Sequence, residues 1–275
     1  MKIAVQSFGL KKEFETDFRG TLQVLHEMGF AGVEPLVLLR EEQGKTPKNT
    51  WAFETLRIAC EAMKDLEMTI PSVHLGVGYK WTYMPIKKIV QGILKIHEIS
   101  GADTYVISGL FDTPALARHW AKITSKIQEA VKPYGCRILY HNHSGEFAPL
   151  RRGGTAMDAF LAHVSPDVNL QVDIGWVGSG NSDESEIIKH YGDRIASLHL
   201  KDFYPQYRGV PQHKLPDEAF APIGAGAIHT KEILELTPAF PRFHDPLIID
   251  QDKSGGSMLD DLKIGMNNLK KMLEA

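Results

Sequence analysis

Cysteine is scarce in this chain. Only Cys60 and Cys136 occur in 275 residues, too few for a disulfide framework or a thiolate zinc site. That scarcity is read as a reduced, cytoplasmic protein. No run of about 18 uncharged apolar residues occurs, which excludes a transmembrane helix. The opening MKIAVQSFGLKKEF enters a strand-like run directly. It lacks the apolar stretch and small-residue cleavage site of a secretory signal. Neither sign of charge prevails, since 31 Lys and Arg against 34 Asp and Glu leave a formal charge of -3. Without a clustered basic face, no nucleic-acid partner is expected, and no membrane partner either. No Pro/Gly/Ser-rich linker or compositional shift divides the chain, so one domain is expected over 1–275. With 43% hydrophobic and 24% charged residues, disorder and fibrous repeats are excluded for the bulk.

What is present is a strict alternation of short apolar runs and longer amphipathic ones. Strand patterns fall at 2–7, 31–35, 69–74, 104–108, 137–142, 168–173, 194–200 and 246–250. Helical patterns fall at 16–29, 50–67, 85–100, 114–132, 155–163, 183–191, 229–236 and 257–273. Parallel neighbours need crossover helices, so such alternation predicts a parallel α/β sheet. Eight units in this length predict a single (β/α)8 TIM barrel. An open doubly wound sheet is disfavoured, because the turn after the first strand, SFGLKKEF, holds one glycine where the dinucleotide folds use several. Three long connections, 36–49, 75–84 and 201–228, follow strand C-termini, where barrel active sites sit.

The strand ends are polar where a packed barrel would be apolar. Strand five ends in Tyr140-His141-Asn142-His143, strand six in Asp173, strand seven in His199-Leu200-Lys201-Asp202 and strand eight in Asp250-Gln251-Asp252. Glu34 ends strand two and His74 ends strand three. Because side chains alternate along a strand, His141 and His143 share a face, as do His199 and Lys201, and Asp250 and Asp252. His141, Asp173, His199 and Asp250 offer two imidazoles and two carboxylates from four consecutive strands. That set suits one divalent metal among manganese, cobalt, zinc and iron, and magnesium less well. Taken singly, each has a plainer reading, such as Asp173 or Asp250 capping the next helix.

The chain resembles the sugar phosphate isomerase/epimerase superfamily, the xylose isomerase-like TIM barrels that also include relatives of endonuclease IV. The segments that carry the resemblance are GFAGVEP (29–35), IPSVHLG (70–76), YHNHSGEF (140–147), VDIGWV (172–177), SLHLKDF (197–203), PIGAGAIHTKEIL (222–234) and IIDQD (248–252). The resemblance implies a metal shell of glutamate, aspartate, histidine and glutamate on strands five to eight. Asp173 and His199 match it, whereas His141 and Asp250 stand where the glutamates would be. The paired-glutamate acid and base of the family's epimerases therefore does not carry over. Glu146 becomes a candidate base, against a plain reading as a solvated loop carboxylate. His143 is open as a fifth ligand, a base or a hydroxyl partner. Lys201 either faces an enediolate oxygen or pairs with Asp202. His74, Trp176 and Glu34 are expected to contact substrate. The turn Gly224-Ala-Gly226-Ala-Ile-His229 reads as a helix opening whose amides are available to an anion such as phosphate. His229 replaces the family's capping aspartate there, so a weak N-cap is expected.

Function follows as an expectation. It is metal-dependent isomerisation or epimerisation of a sugar, keto-sugar or polyol, by proton removal beside a carbonyl through an enediolate. A lyase or dehydratase acting on a keto-sugar or inosose-type substrate is the enzymatic rival. A degenerate barrel that only binds sugar is the non-catalytic rival. An endonuclease is disfavoured, for want of extra metal ligands and a basic face. The exposed barrel helices leave room for a homo-oligomer.

Overall fold

In the computed structural model, residues 1–39, 50–76, 84–151, 153–180, 182–244 and 246–274 are described. The elements in chain order begin with β1 (Ile3–Gln6), α1 (Lys11–Thr16), α2 (Phe18–Met28), β2 (Gly32–Glu34), β3 (Leu36–Leu38), α3 (Phe53–Asp65), β4 (Val73–Gly76), α4 (Ile86–Ser100) and β5 (Thr104–Ser108). They continue with α5 (Pro114–Val131), β6 (Arg137–His141), α6 (Ala156–Leu161), β7 (Asn169–Asp173), α7 (Ile174–Ser179), α8 (Glu184–Tyr191) and β8 (Ile195–Leu200). The last are β9 (Asp202–Phe203), β10 (Phe220–Ala221), α9 (Thr230–Leu236), β11 (Leu247–Ile249) and α10 (Met258–Glu274).

The main sheet is parallel, in the order β2-β1-β11-β8-β7-β6-β5-β4-β3. Its two edges are halves of one strand broken at Pro35, since β2 pairs with β1 and β3 pairs with β4. The sheet thereby closes on itself as a TIM barrel. Proline has no N–H to give the ladder, and its carbonyl instead accepts from His74 N at 2.9 Å. The strand expected at 69–74 starts regular pairing only at Val73, after Pro71, with Thr69 making an isolated bridge to Gly32.

Helix positions follow local chemistry. The helix expected at 16–29 is two helices, because Asp17 is extended and its Oδ1 accepts from Gly20 N at 2.9 Å, restarting the helix as an N-cap. Gly29 ends α2 at φ +97°, a left-handed conformation that glycine adopts without steric cost. α7 lies outside the expected helix 183–191, which is α8. The main hydrophobic core lies between barrel and helices, while Val106, Leu139 and Ala196 form a small separate cluster. Of the three long connections, residues 36–38 are strand, and 40–49 and 77–83 lie outside the described residues. The third, 201–228, contains the antiparallel pair β9–β10 and packs Phe203, Leu215, Ala219 and Phe220 against Trp176 of α7 in a separate apolar cluster.

Candidate functional site

Strand alternation sends every second residue of β6, β7, β8 and the chain after β11 to one side. The ladder sets the heights, with Asp173 beside His199 and Gln171 beside His141. One ligand atom from each of His141, Asp173, His199 and Asp250 lies within 4.8 Å of the other three, and all four residues are buried. The rings of His141 and His199 are 4.7 Å apart, and His74 stands 4.7 Å from His141.

A layer of polar groups behind this cluster fixes its orientation. The Nδ1 of His141 lies 3.1 Å from Gln171 Oε1, so it donates and Nε2 is left toward the cluster. Gln171 in turn donates through Nε2 to Glu34 at 2.7 Å, and Ser72 Oγ donates to the same carboxylate oxygen at 2.5 Å. The other Glu34 oxygen receives His199 Nε2 at 3.0 Å. Glu34, expected at the substrate, is thus fully buried behind His199 and outside the residues that line the pocket. It holds the imidazole as a carboxylate holds a metal-ligating histidine.

Asp173 does both things open to it in the sequence. Its Oδ1 accepts from Trp176 N at 2.8 Å and caps α7, while Oδ2 lies 3.1 Å from Lys201 Nζ. The Lys201 ammonium, which is 1% exposed, also sits 3.0 Å from Asp250 Oδ2 and 2.9 Å from Asp252 Oδ2. It does not take Asp202 as its partner among the described contacts. It lies 4.7 Å from the centre of the Trp176 ring, close enough for a cation–π contact. Gly175 permits this approach, because a Cβ there would stand 2.6 Å from Lys201 Cβ and 2.8 Å from its carbonyl oxygen.

Electrostatics follow from burial and charge count. Four carboxylates (Glu34, Asp173, Asp250 and Asp252) face two cationic groups, Lys201 and His199. Burial opposes the His199 charge, but Glu34 and Asp250 outweigh it and raise that group to about 10. Burial likewise opposes ionisation of Asp250, and Lys201 and His199 reverse it, holding the carboxyl well below its ordinary range. For Asp173 and Asp252 burial prevails over Lys201, pushing them up to about 6 and about 7. The surplus of negative sites is what a divalent cation would neutralise. Burial keeps His74 and His143 neutral, lowered to about 4 and about 3. His74 Nε2, His143 Nδ1 and Asp250 Oδ1 are buried without a hydrogen-bond partner among the described residues. Such orphaned groups are uncommon in packed proteins and point to a ligand. The donor set and its orienting layer fit a metal ion.

Two adjoining chambers lie beside the cluster, and the inner one reaches it through His141 and Asp250. The inner one, about 190 Å³, is lined by His74, His141, His143, Lys201, Asp250 and Asp252, among others. The outer one, about 880 Å³, shares Phe8, His143, Trp176, Gln212 and Asp252 with it and has Glu146 in its wall. Trp176, though only 2% exposed, borders both. Glu146 is 1% exposed, 3.0 Å from Tyr140 Oη, and accepts from His143 N at 3.0 Å. Burial outweighs these donors and raises it to about 8. At neutral pH it is a neutral acid in the chamber wall and not a solvated loop carboxylate. Asp252, named in the sequence only for sharing a face with Asp250, joins the site through Lys201. Its i+2 spacing from Asp250 was the available signal. Gln171 gave none, since a glutamine within a strand carries no pattern of its own.

The 224–229 turn corrects an expectation. Its amides at Gly224, Gly226 and Ile228 all donate to Asp202 at 3.0 Å, and Phe203 N does so at 2.9 Å. The anion at this turn is the protein's own carboxylate. His229 makes no side-chain cap to α9, as expected.

Residues 22–271 match the family model described as xylose isomerase-like TIM barrel. Among solved structures, a sugar phosphate isomerase/epimerase from Parabacteroides distasonis is similar at 22% identity and a TM-score of 0.74, over 98% of this chain and 93% of that one. A probable 3-DHS dehydratase, AsbF, from Bacillus anthracis, involved in petrobactin synthesis, is similar at 14% identity and a TM-score of 0.66, over 98% and 99%. The IolI protein, solved with a zinc atom bound, is similar at 15% identity and a TM-score of 0.68, over 99% and 96%. No curated protein sequence matches. Among the described residues no helix is long and apolar enough to cross a membrane.

Proposed function

Because the chain belongs to the xylose isomerase-like TIM-barrel family, we propose that it is a divalent-metal-dependent enzyme that isomerises or epimerises a sugar, keto-sugar or related polyol. The observation that carries this reading is the buried quartet of His141, Asp173, His199 and Asp250, with ligand atoms within 4.8 Å of one another. Held there, a divalent ion such as manganese, cobalt, zinc or iron would supply a Lewis acid for a carbonyl and its neighbouring hydroxyl. A zinc-holding structural neighbour supports the same reading.

The remaining steps fall to side chains. Gln171 and Glu34 orient the two imidazoles, and His199 would give up the proton it holds toward Asp250 when an ion binds. His143 and Asp252 stand two residues beyond His141 and Asp250 on strands separated by β7 and β8, and both line the inner chamber. Asp252, at about 7, is the one poised to take the proton from carbon at neutral pH, while His143, lowered to about 3, is too weak a base for that step and faces the substrate from a different wall as a hydrogen-bond partner. The electron pair left behind becomes an enediolate, and the Lys201 ammonium faces its negative charge. Proton return to the neighbouring carbon isomerises, and return to the opposite face epimerises. His74 presents Nε2 to a substrate oxygen, and Trp176 screens the chamber from water. In elimination the same carbanion would expel a neighbouring oxygen instead. The outer chamber, with room for a leaving group, and the dehydratase neighbour favour keeping that second reading.

The test is incubation of metal-loaded protein with ketopentoses, ketohexoses and inososes in deuterium oxide, followed by NMR. Deuterium incorporation that is lost in Asp173→Asn supports isomerisation or epimerisation. Release of water or an alcohol without incorporation supports the lyase. No metal uptake and no exchange would refute both and leave a barrel that only binds sugar.

A further inference from the structure

The outer chamber, at about 880 Å³, is over four times the inner chamber's 190 Å³. A single sugar ring at the quartet leaves it empty, whereas pockets of roughly 300–1,000 Å³ ordinarily hold ligands of drug size. Its wall is aromatic and fixed. Trp176 packs 5.3 Å from Phe203, and Phe203 packs 4.9 Å from Phe220, within the separate apolar cluster of the 201–228 segment. Leu110, which also lines this chamber, is 69% exposed, an unusual place for a large apolar side chain.

The charges in the same wall are wrong for a phosphate. Asp112 and Asp252 line the chamber, and among its described residues the side chains able to carry positive charge are His143, which burial keeps neutral, His213 and Lys253. Lys253 is already 2.9 Å from Asp217. The nearby turn with amides suited to an anion is filled by Asp202. Phosphate recognition needs several convergent N–H or cationic donors, and none converge here among the described residues.

We infer that the substrate is a neutral sugar bearing an apolar, aromatic-sized substituent. Its sugar ring sits in the inner chamber and its substituent lies between Leu110 and the Trp176–Phe220 wall. The placement of the sugar rests on the proposed function, whereas the substituent pocket stands on its own geometry.

The test is ligand-observed saturation-transfer NMR and competition binding with zinc-supplied protein. The probes are the methyl and phenyl glycosides of glucose, galactose, mannose and xylose, with glucose 6-phosphate and fructose 6-phosphate as charged controls. At least one phenyl glycoside should bind about tenfold or more tightly than its methyl partner, as expected for burying one ring. Its ring protons should receive the strongest saturation. Leu110→Ser, at an exposed position, and Phe220→Ala should each reduce that ratio several-fold. Equal binding of phenyl and methyl glycosides, binding of none, or preference for a phosphosugar would overturn the inference. If the phenyl preference holds while Asp173→Asn neither loses metal nor alters exchange, the metal-dependent reading fails and the pocket stands.

Discussion

Glu34 offers the sharpest test of how the site is held. It is fully buried and accepts His199 Nε2 at 3.0 Å, Gln171 Nε2 at 2.7 Å and Ser72 Oγ at 2.5 Å. Glu34→Gln keeps the shape but replaces one acceptor oxygen with a donor, so either Gln171 and Ser72 face a donor or His199 gives up its Nε2 proton and its charge. A lost charge-assisted hydrogen bond in a buried setting costs about 1.5–3 kcal/mol, and unpairing an imidazolium adds to it, so a loss of about 3 kcal/mol is expected. The pH dependence gives a signature. His199 is raised to about 10 from an ordinary 6.5, so its stabilisation is complete below about pH 6.5 and fades as pH climbs toward 10. Linkage sets an upper bound of about 5 kcal/mol on that fading. In Glu34→Gln one of the two raising partners is gone, Asp250 remains, and the alkaline loss should shrink. Urea denaturation of chelator-treated wild type and variant at pH 6.5, 8 and 9.5 reads both quantities. Metal titration should also show affinity weakened about 10–100-fold. A stability change under about 1 kcal/mol, with an unchanged alkaline slope and unchanged metal affinity, would refute the orienting role.

Other outcomes follow from the same geometry. Asp173→Ala and His199→Ala should each reduce bound metal, measured by elemental analysis, from about one ion per chain to none. Retention in both would place the metal elsewhere. Glu146 is raised to about 8 from 4.5, so the folded state holds a proton that the unfolded chain releases, and stability falls as pH rises from about 4.5 to 8. Glu146→Gln should remove that fall and gain a few kcal/mol over wild type at pH 8, while parallel pH curves would show Glu146 ionised in the fold. Asp202→Asn places an amide group against two backbone N–H donors of the 203 and 224–228 cradle. It should cost roughly 2–4 kcal/mol and expose the 224–229 turn to proteolysis, and a neutral effect would show that the turn does not depend on this anchor.

The barrel was legible because its signals are local. Alternating runs and the Gly29 stop act within a few residues, whereas the equally local Asp17 cap that splits the helix expected at 16–29 was not anticipated. The parallel ladder then brings the ends of consecutive strands together with little further choice, so His141, Asp173, His199 and Asp250 could be named as a set. Pro35 was in view, but whether it ended strand two or split it depended on both neighbouring strands, β1 and β4.

Residue types and their order determined the fold class and the convergence of imidazoles and carboxylates on one rim. Tertiary structure alone decided what each group does there. Glu34 looked like a rim carboxylate but lies beneath His199, because the depth of a side chain depends on the stagger of strands far away in sequence. Asp202 took the amides that seemed free for phosphate, because a residue 22 positions upstream folds onto that turn. Glu146 became a neutral acid and Asp252 a near-neutral one, since ionisation answers to burial and to charges brought in by other strands. Side-chain identity is written in the chain, but dielectric surroundings and hydrogen-bond partners exist only once distant segments have packed.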